Sequence, residues 1–185
     1  MLKRLSEGRF IALVMSAYLL LGVIGGVLWR AWWNAPDGMV ISHQWIPGAV
    51  TLNGSLYPLA DPPQTIPAAT AHWAILALAI GLIGGALVVF GARGREYASL
   101  LVGLIGSACS GLVMLAVGYI NRGVDPQSVA IALPDGAMIH DRIQLAEPWL
   151  LVLPLAASGA VLAVAFLGWA ARPSMPQPEN QASAV

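Results

Sequence analysis

The sequence predicts an all-α membrane protein: a four-transmembrane-helix bundle with a small extracytoplasmic antiparallel β cap. Three observations predict it. Four uncharged apolar runs approach or exceed the roughly 20 residues needed to cross a bilayer. Only 10% of the 185 residues are charged and mean hydropathy is +0.74, whereas soluble domains carry about a quarter charged residues. The polar gaps after the first and third runs hold turn signals and β-forming residues.

Residues 1–9 form a short basic N-terminus, and the first span runs from Phe10 to Trp29. Its apolar run exceeds a signal-peptide core, and "LWRAWWN" offers no small-x-small cleavage site, so it reads as a retained helix. Residues 30–72 form an outer loop, and the second span is Trp73 to Phe90. A tight turn at 91–96 leads into the third span, Tyr97 to Ile120. A second outer gap occupies 121–148, and the fourth span is Trp149 to Ala170. Pro154 should bend that span near its outer end, since proline removes a helical hydrogen bond. Residues 171–185, with three prolines, read as a disordered cytoplasmic tail. Trp29, Trp32, Trp33, Trp73, Trp149 and Trp169 stand near span ends, where interfacial aromatics belong.

Lysine and arginine placement sets the expected orientation. Lys3, Arg4, Arg9, Arg93, Arg95 and Arg172 share one side, while Arg30, Arg122 and Arg142 share the other with Asp37, Asp61, Asp125, Asp135, Asp141 and Glu147. Both termini are expected in the cytoplasm, with the chain in a bacterial inner (plasma) membrane. The four runs hold no Asp, Glu, Lys, Arg or His. Pumps and coupled transporters place ionisable groups at membrane depth, so the pattern argues against both. A net charge of zero without a basic block argues against nucleic acid. Cys109 stands alone, so neither an intrachain disulfide nor a multi-cysteine metal site is available. No paired carboxylates or serine elbow mark an enzyme, and no cofactor is expected.

Small residues recur at helical spacing: Gly22 and Gly26, Gly81 and Gly85, then Gly103, Ser107, Gly111 and Gly118, and finally Ala156, Ala160 and Ala163. Such faces let membrane helices approach closely. They serve packing within the bundle, docking of a membrane-protein partner or second copy, or both.

The outer gaps repeat a phrase, "PDGMVISH" at 36–43 and "PDGAMIH" at 134–140. "PDG" is a type I turn signal. "MVISHQW" reads as extended, and "AVTL" and "SLYP" flank Asn53-Gly54 as a hairpin. "PLADPPQTIP" should run irregular or extended. In the second gap "SVAIAL" and "AMIHDRIQL" read as the two strands of a hairpin. A parallel duplication of a two-span unit and chance both account for the repeat. His43 and His140 are metal candidates only if they converge with carboxylates, and no HxH or HExxH spacing demands that. The turn, more than the histidines, is the shared feature.

The stretch "HWAILALAIGLIGGALVVFGARGREYASLLVGLIGSACSG" and the segment "EPWLLVLPLAAS" resemble a family of four-pass actinobacterial membrane proteins of unknown function. That resemblance implies an envelope location and transfers no catalytic residue. Where that family would show an acidic, glycine-containing lead into the second span, this chain has "AATAH". The expected function is a non-enzymatic accessory or scaffold subunit of a cell-envelope complex, in contact with the bilayer and a membrane-protein partner. The alternative is a lipid- or small-molecule-binding protein with its ligand between cap and helix ends, near Trp32, Trp33, Trp45 and Trp73.

Overall fold

The computed structural model describes residues 6–48, 50–52, 55–57, 65–92, 96–120, 122–145 and 147–170. Outside them lie Lys3, Arg4, Arg93, Arg95, Arg172, the Asn53-Gly54 turn, residues 58–64 and the tail. The chain is mostly helical, with four helices long and apolar enough to span a membrane and a three-stranded antiparallel sheet. Helix α1 is Glu7–Trp32, α2 Thr65–Ala92, α3 Glu96–Gly118 and, after the short α4 at Pro126–Ala130, α5 spans Leu153–Ala170. Strands β1 Asp37–Ile41, β2 Gln44–Pro47, β3 Val50–Leu52 and β4 Ser55–Tyr57 separate α1 from α2, and β5 Met138–His140 follows α4.

The four long helices pack in the cyclic order α1, α3, α5, α2. Close approach explains the order. A β-carbon on Gly22 would lie 2.6 Å from the Ser110 carbonyl oxygen, and one on Gly26 would lie 2.7 Å from that of Met114. On the other side, Gly81 faces the Pro154 carbonyl and Gly85 faces Val161 and Ser158. Gly103, Gly111 and Gly118 accommodate Leu162, Pro154 and the Trp29 ring, and Ser107 is fully buried. Ala156, Ala160 and Ala163 instead point outward.

Two cores result. At the cap end, Trp29, Trp73, Ala77, Ile80 and Met114 pack with Ile143 and Leu150. At the other end, Phe10, Val14, Tyr18, Val88, Val102 and Leu162 pack together. Tyr18 spans the bundle, its hydroxyl hydrogen-bonded to the Ser158 hydroxyl at 2.8 Å, with Gly84 and Gly106 against its ring. A polar pair inside an apolar bundle satisfies itself, which removes most of the cost of burying it.

Several expectations are corrected. "SVAIAL" is not a strand: residues 126–130 form α4, because Asp125 caps it and Pro126 opens it. The Asp125 side chain accepts the Gln127 amide at 3.2 Å, an N-cap that outweighs the β-propensity of Val129 and Ile131. "MVISHQW" is extended as its β-formers suggest, divided by a turn at Ser42-His43 into strands β1 and β2. The first "PDG" is not a turn, since Asp37 and Gly38 lie in β1. In the second, Asp135 and Gly136 form the turn centre, with Gly136 at φ +90° and the Ala137 amide donating to Pro134. A positive φ at that position is the type II requirement rather than type I.

Helix α2 starts at Thr65, so "TIP" is helical rather than extended. A proline in a first turn lacks only an N–H that has no helical partner there. His72 consequently stands inside the second candidate span, Ala68–Ala92, which is longer than the apolar run alone. Of the tryptophans assigned to interfaces, Trp29 and Trp73 are fully buried core residues, whereas Trp32 and Trp149 are exposed. The fourth span opens as a 3₁₀ turn at Pro148–Val152 and becomes α-helical at Leu153, beside Pro154.

Candidate functional site: the cap end of the bundle

The two copies of the repeated phrase pair with each other. Strand β5 lies antiparallel to β1 with Asp37 opposite His140, Gly38 opposite Ile139 and Met39 opposite Met138. The Val40 amide donates to Ala137 at 2.9 Å, and Gly136 donates to the Val40 carbonyl at 2.8 Å. The exchange is reciprocal at the ends. Asp37 of the first copy meets the His140 imidazole, while Asp135 of the second accepts the backbone amide of His43 at 3.2 Å. Neither predicted local turn pattern produces this. The β-rich part of the second gap becomes the third strand of the sheet begun in the first, giving the order β2-β1-β5.

The β1–β2 hairpin turns on Ser42 and His43, both at positive φ, 52° and 59°. Two consecutive positive-φ residues are the type I′ signature, normally filled by Asn-Gly. Holding non-glycine residues there costs on the order of 1 kcal/mol or more. Replacing Ser42→Asn together with His43→Gly should therefore stabilise the cap by about 1 kcal/mol. Slower hydrogen exchange at the Val40 amide is the readout, and unchanged exchange would contradict the turn assignment.

His140 and Asp37 are largely exposed, with side-chain accessibilities of 78% and 51%. Water screens such a pair, so His140→Ala should cost under about 1 kcal/mol in chemical denaturation. Among the described residues no three His, Cys, Asp or Glu side chains converge on a point. His43 turns the hairpin and His140 meets Asp37, so the two predicted metal candidates occupy separate structural positions.

The four tryptophans proposed to line a ligand site are likewise placed apart in role. Trp45 packs on Gly38 and its indole donates to the Ile139 carbonyl at 3.1 Å, tying β2 across β1 to β5. Trp32 stacks on the His72 ring at a centroid distance of 4.5 Å. Trp33 packs against the cap-end core. Trp73 is fully enclosed; its indole nitrogen and the Nδ1 of His72 are buried without a hydrogen-bond partner.

Other contacts fasten the cap to the bundle. The Trp29 indole donates to the Ala69 carbonyl at 2.7 Å, joining α1 to α2. The Tyr119 hydroxyl accepts the Leu145 amide at 2.9 Å, and Ile143 is buried over the helix ends. Arg142 pairs with Asp125 at 3.2 Å, holding the segment after β5 against the start of α4. The Gln127 side chain of α4 accepts the Trp45 amide at 3.1 Å and so covers the edge of β2. The "DPQS" cap signal and the Asp125–Arg142 charges were legible as residues; their pairing across 17 positions was not.

In the cap region Val124, Ile131 and Met138 are each 65–70% exposed. No family model, curated protein or solved structure matches the chain.

Proposed function

We propose that this chain is a non-enzymatic, multi-pass subunit of a cell-envelope complex. It is held in the bacterial plasma membrane with both termini cytoplasmic and the cap outward. The observation that carries this reading is the braced cap with exposed Val124, Ile131 and Met138. Helix packing supports it: the glycine faces of α1 and α2 are consumed inside the bundle, so the helices form a compact anchor for a platform. Apolar side chains raised on a rigid polar surface mark interaction sites more often than isolated surface residues do.

The full-length chain, purified from native membranes in mild detergent and weighed intact, should carry a stoichiometric second protein or a second copy. Ile131→Asp with Met138→Asp should release it while the fold persists. A persistent lone monomer from native membranes would overturn the subunit reading.

A second reading, lipid binding, has its own observation. A cavity of about 270 Å³ opens between α1 and α2 at the end away from the cap, lined by Phe10, Val14, Tyr18, Leu87 and Val88 among others. Its wall is almost wholly apolar, which suits an acyl chain. Endogenous lipid that survives purification and is lost on Leu87→Trp would favour this reading.

A further inference from the structure

The cap end carries three arginines among the described residues, and two of them are engaged. Arg142 pairs with Asp125, and the Arg122 guanidinium lies over the Tyr119 ring, 4.9 Å from its centroid. Arg30 differs. It lies in the last turn of α1, is exposed, and donates from one terminal nitrogen to the Ile120 carbonyl just past α3. No carboxylate among the described residues pairs with it. A guanidinium has five N–H donors in a planar fork, and the Ile120 carbonyl is the partner it has among the described residues.

Beside this charge is a second, larger groove of about 430 Å³ between α1 and α3, lined by Val27, Arg30, Ala31, Val117 and Ile120. Its size falls within the roughly 300–1,000 Å³ usual for ligand pockets. Apart from Arg30 the lining is aliphatic, and exposed Trp32, two residues further on, marks the depth where interfacial aromatics sit. Fixed positive charge at headgroup depth above an aliphatic slot matches one class of molecule.

We propose that Arg30 and this groove bind a glycerophospholipid, its phosphate on the guanidinium and the first methylenes of a chain between Val27 and Val117. The site deepens the lipid-binding reading and rests on it, but uses a different groove. Arg30 bridges both elements, since the nitrogen that caps α3 fixes the fork and leaves its other edge for a bidentate phosphate contact. Ala31 gives the ligand room.

The test uses the full chain in mild detergent, titrated with phosphatidylglycerol or with diacylglycerol and read by native mass spectrometry. In the Leu87→Trp background, phosphatidylglycerol should be retained and diacylglycerol should not. Arg30→Gln should cut retention by at least about tenfold, the worth of a charge-assisted hydrogen bond. Ala31→Trp, at an exposed position, should fill the groove and do the same with the guanidinium in place. Arg122→Gln should leave retention unchanged. Millimolar inorganic phosphate should not displace the lipid; displacement would make free phosphate the ligand and overturn the proposal.

A residue that only caps α3 would lower stability on Arg30→Gln without changing retention per folded molecule, and that outcome also overturns it. If Arg30→Gln does not fold, full retention by Ala31→Trp has the same force. Retention unchanged by Arg30→Gln and Ala31→Trp but lost on Leu87→Trp would sink only this proposal. A chain that retains no lipid anywhere sinks the lipid-binding reading with it.

Discussion

Gly22→Ile should force α1 away from α3 and destabilise the bundle by about 1–3 kcal/mol, the usual cost of overpacking a closed interface. The reason is geometric. A β-carbon at Gly22 would lie 2.6 Å from the carbonyl oxygen of Ser110 and 3.1 Å from its α-carbon, and backbone cannot rotate aside as a side chain can. Gly26 repeats the conflict one turn later against Met114, so the double substitution should exceed either single one. Gly168 supplies the contrast, since nothing lies within 4 Å of a β-carbon there. Gly168→Ala should be neutral or stabilising by up to about 1 kcal/mol through helix propensity. Chemical denaturation in mild detergent, followed by circular dichroism, separates the two. Equal effects at Gly22 and Gly168 would contradict the packing.

Trp29→Ala should be more damaging, costing about 3–5 kcal/mol as large core truncations do. Its ring is fully buried, Gly118 exists in the space that ring leaves, and its indole is the hydrogen-bond link from α1 to the Ala69 carbonyl of α2. Trp29→Phe should recover much of the packing but not the link, leaving the Ala69 carbonyl without its donor at a cost of roughly 1–3 kcal/mol. Trp149 is 63% exposed, and Trp149→Ala should change stability by no more than about 0.5 kcal/mol. The same denaturation experiment ranks the three. A Trp149→Ala effect as large as that of Trp29→Ala would show that the cap-end core is misplaced.

These two tryptophans also show where sequence reasoning reaches its limit. The apolar runs report length and composition directly, so four spans, their order and the existence of strands in both gaps were readable. Burial within a membrane-type helix is not, because lipid-facing and core-facing positions are equally apolar. Trp29 and Trp149 both stand at the end of a run, and only packing distinguishes them.

The cap failed to be legible for a different reason. Asp125-Pro126 is a helix-start signal, overlooked because the β-formers after it suggested a hairpin. Ser42-His43 has no turn signal at all: the pairing of β1 with β5, 92 residues away at the His43–Asp135 bond, holds those residues at positive φ. At Asp125-Pro126 a local cap decided the structure, whereas at Ser42-His43 strand pairing overrode local preference. The repeated phrase was conspicuous in the sequence, but its meaning was not. The first copy is strand and the second a turn followed by strand, and the two pair in one sheet with Asp37 meeting His140 across it.

A lone arginine at the end of a span is ordinary, so the sequence by itself does not mark Arg30. The far wall of its groove, Val117 and Ile120, comes from the end of α3 and just beyond it, up to 90 positions later.

The most direct test of the proposed subunit role is photo-crosslinking in living cells from a reactive residue placed at Ile131 or Met138, with Leu82, exposed on the flank of α2, as the comparison. Cross-linking from the two cap positions to one protein of defined mass, with little or none from Leu82, is the expected result. Cap positions that capture nothing, in membranes where the chain is folded and expressed at its native level, would contradict a docking role for the cap.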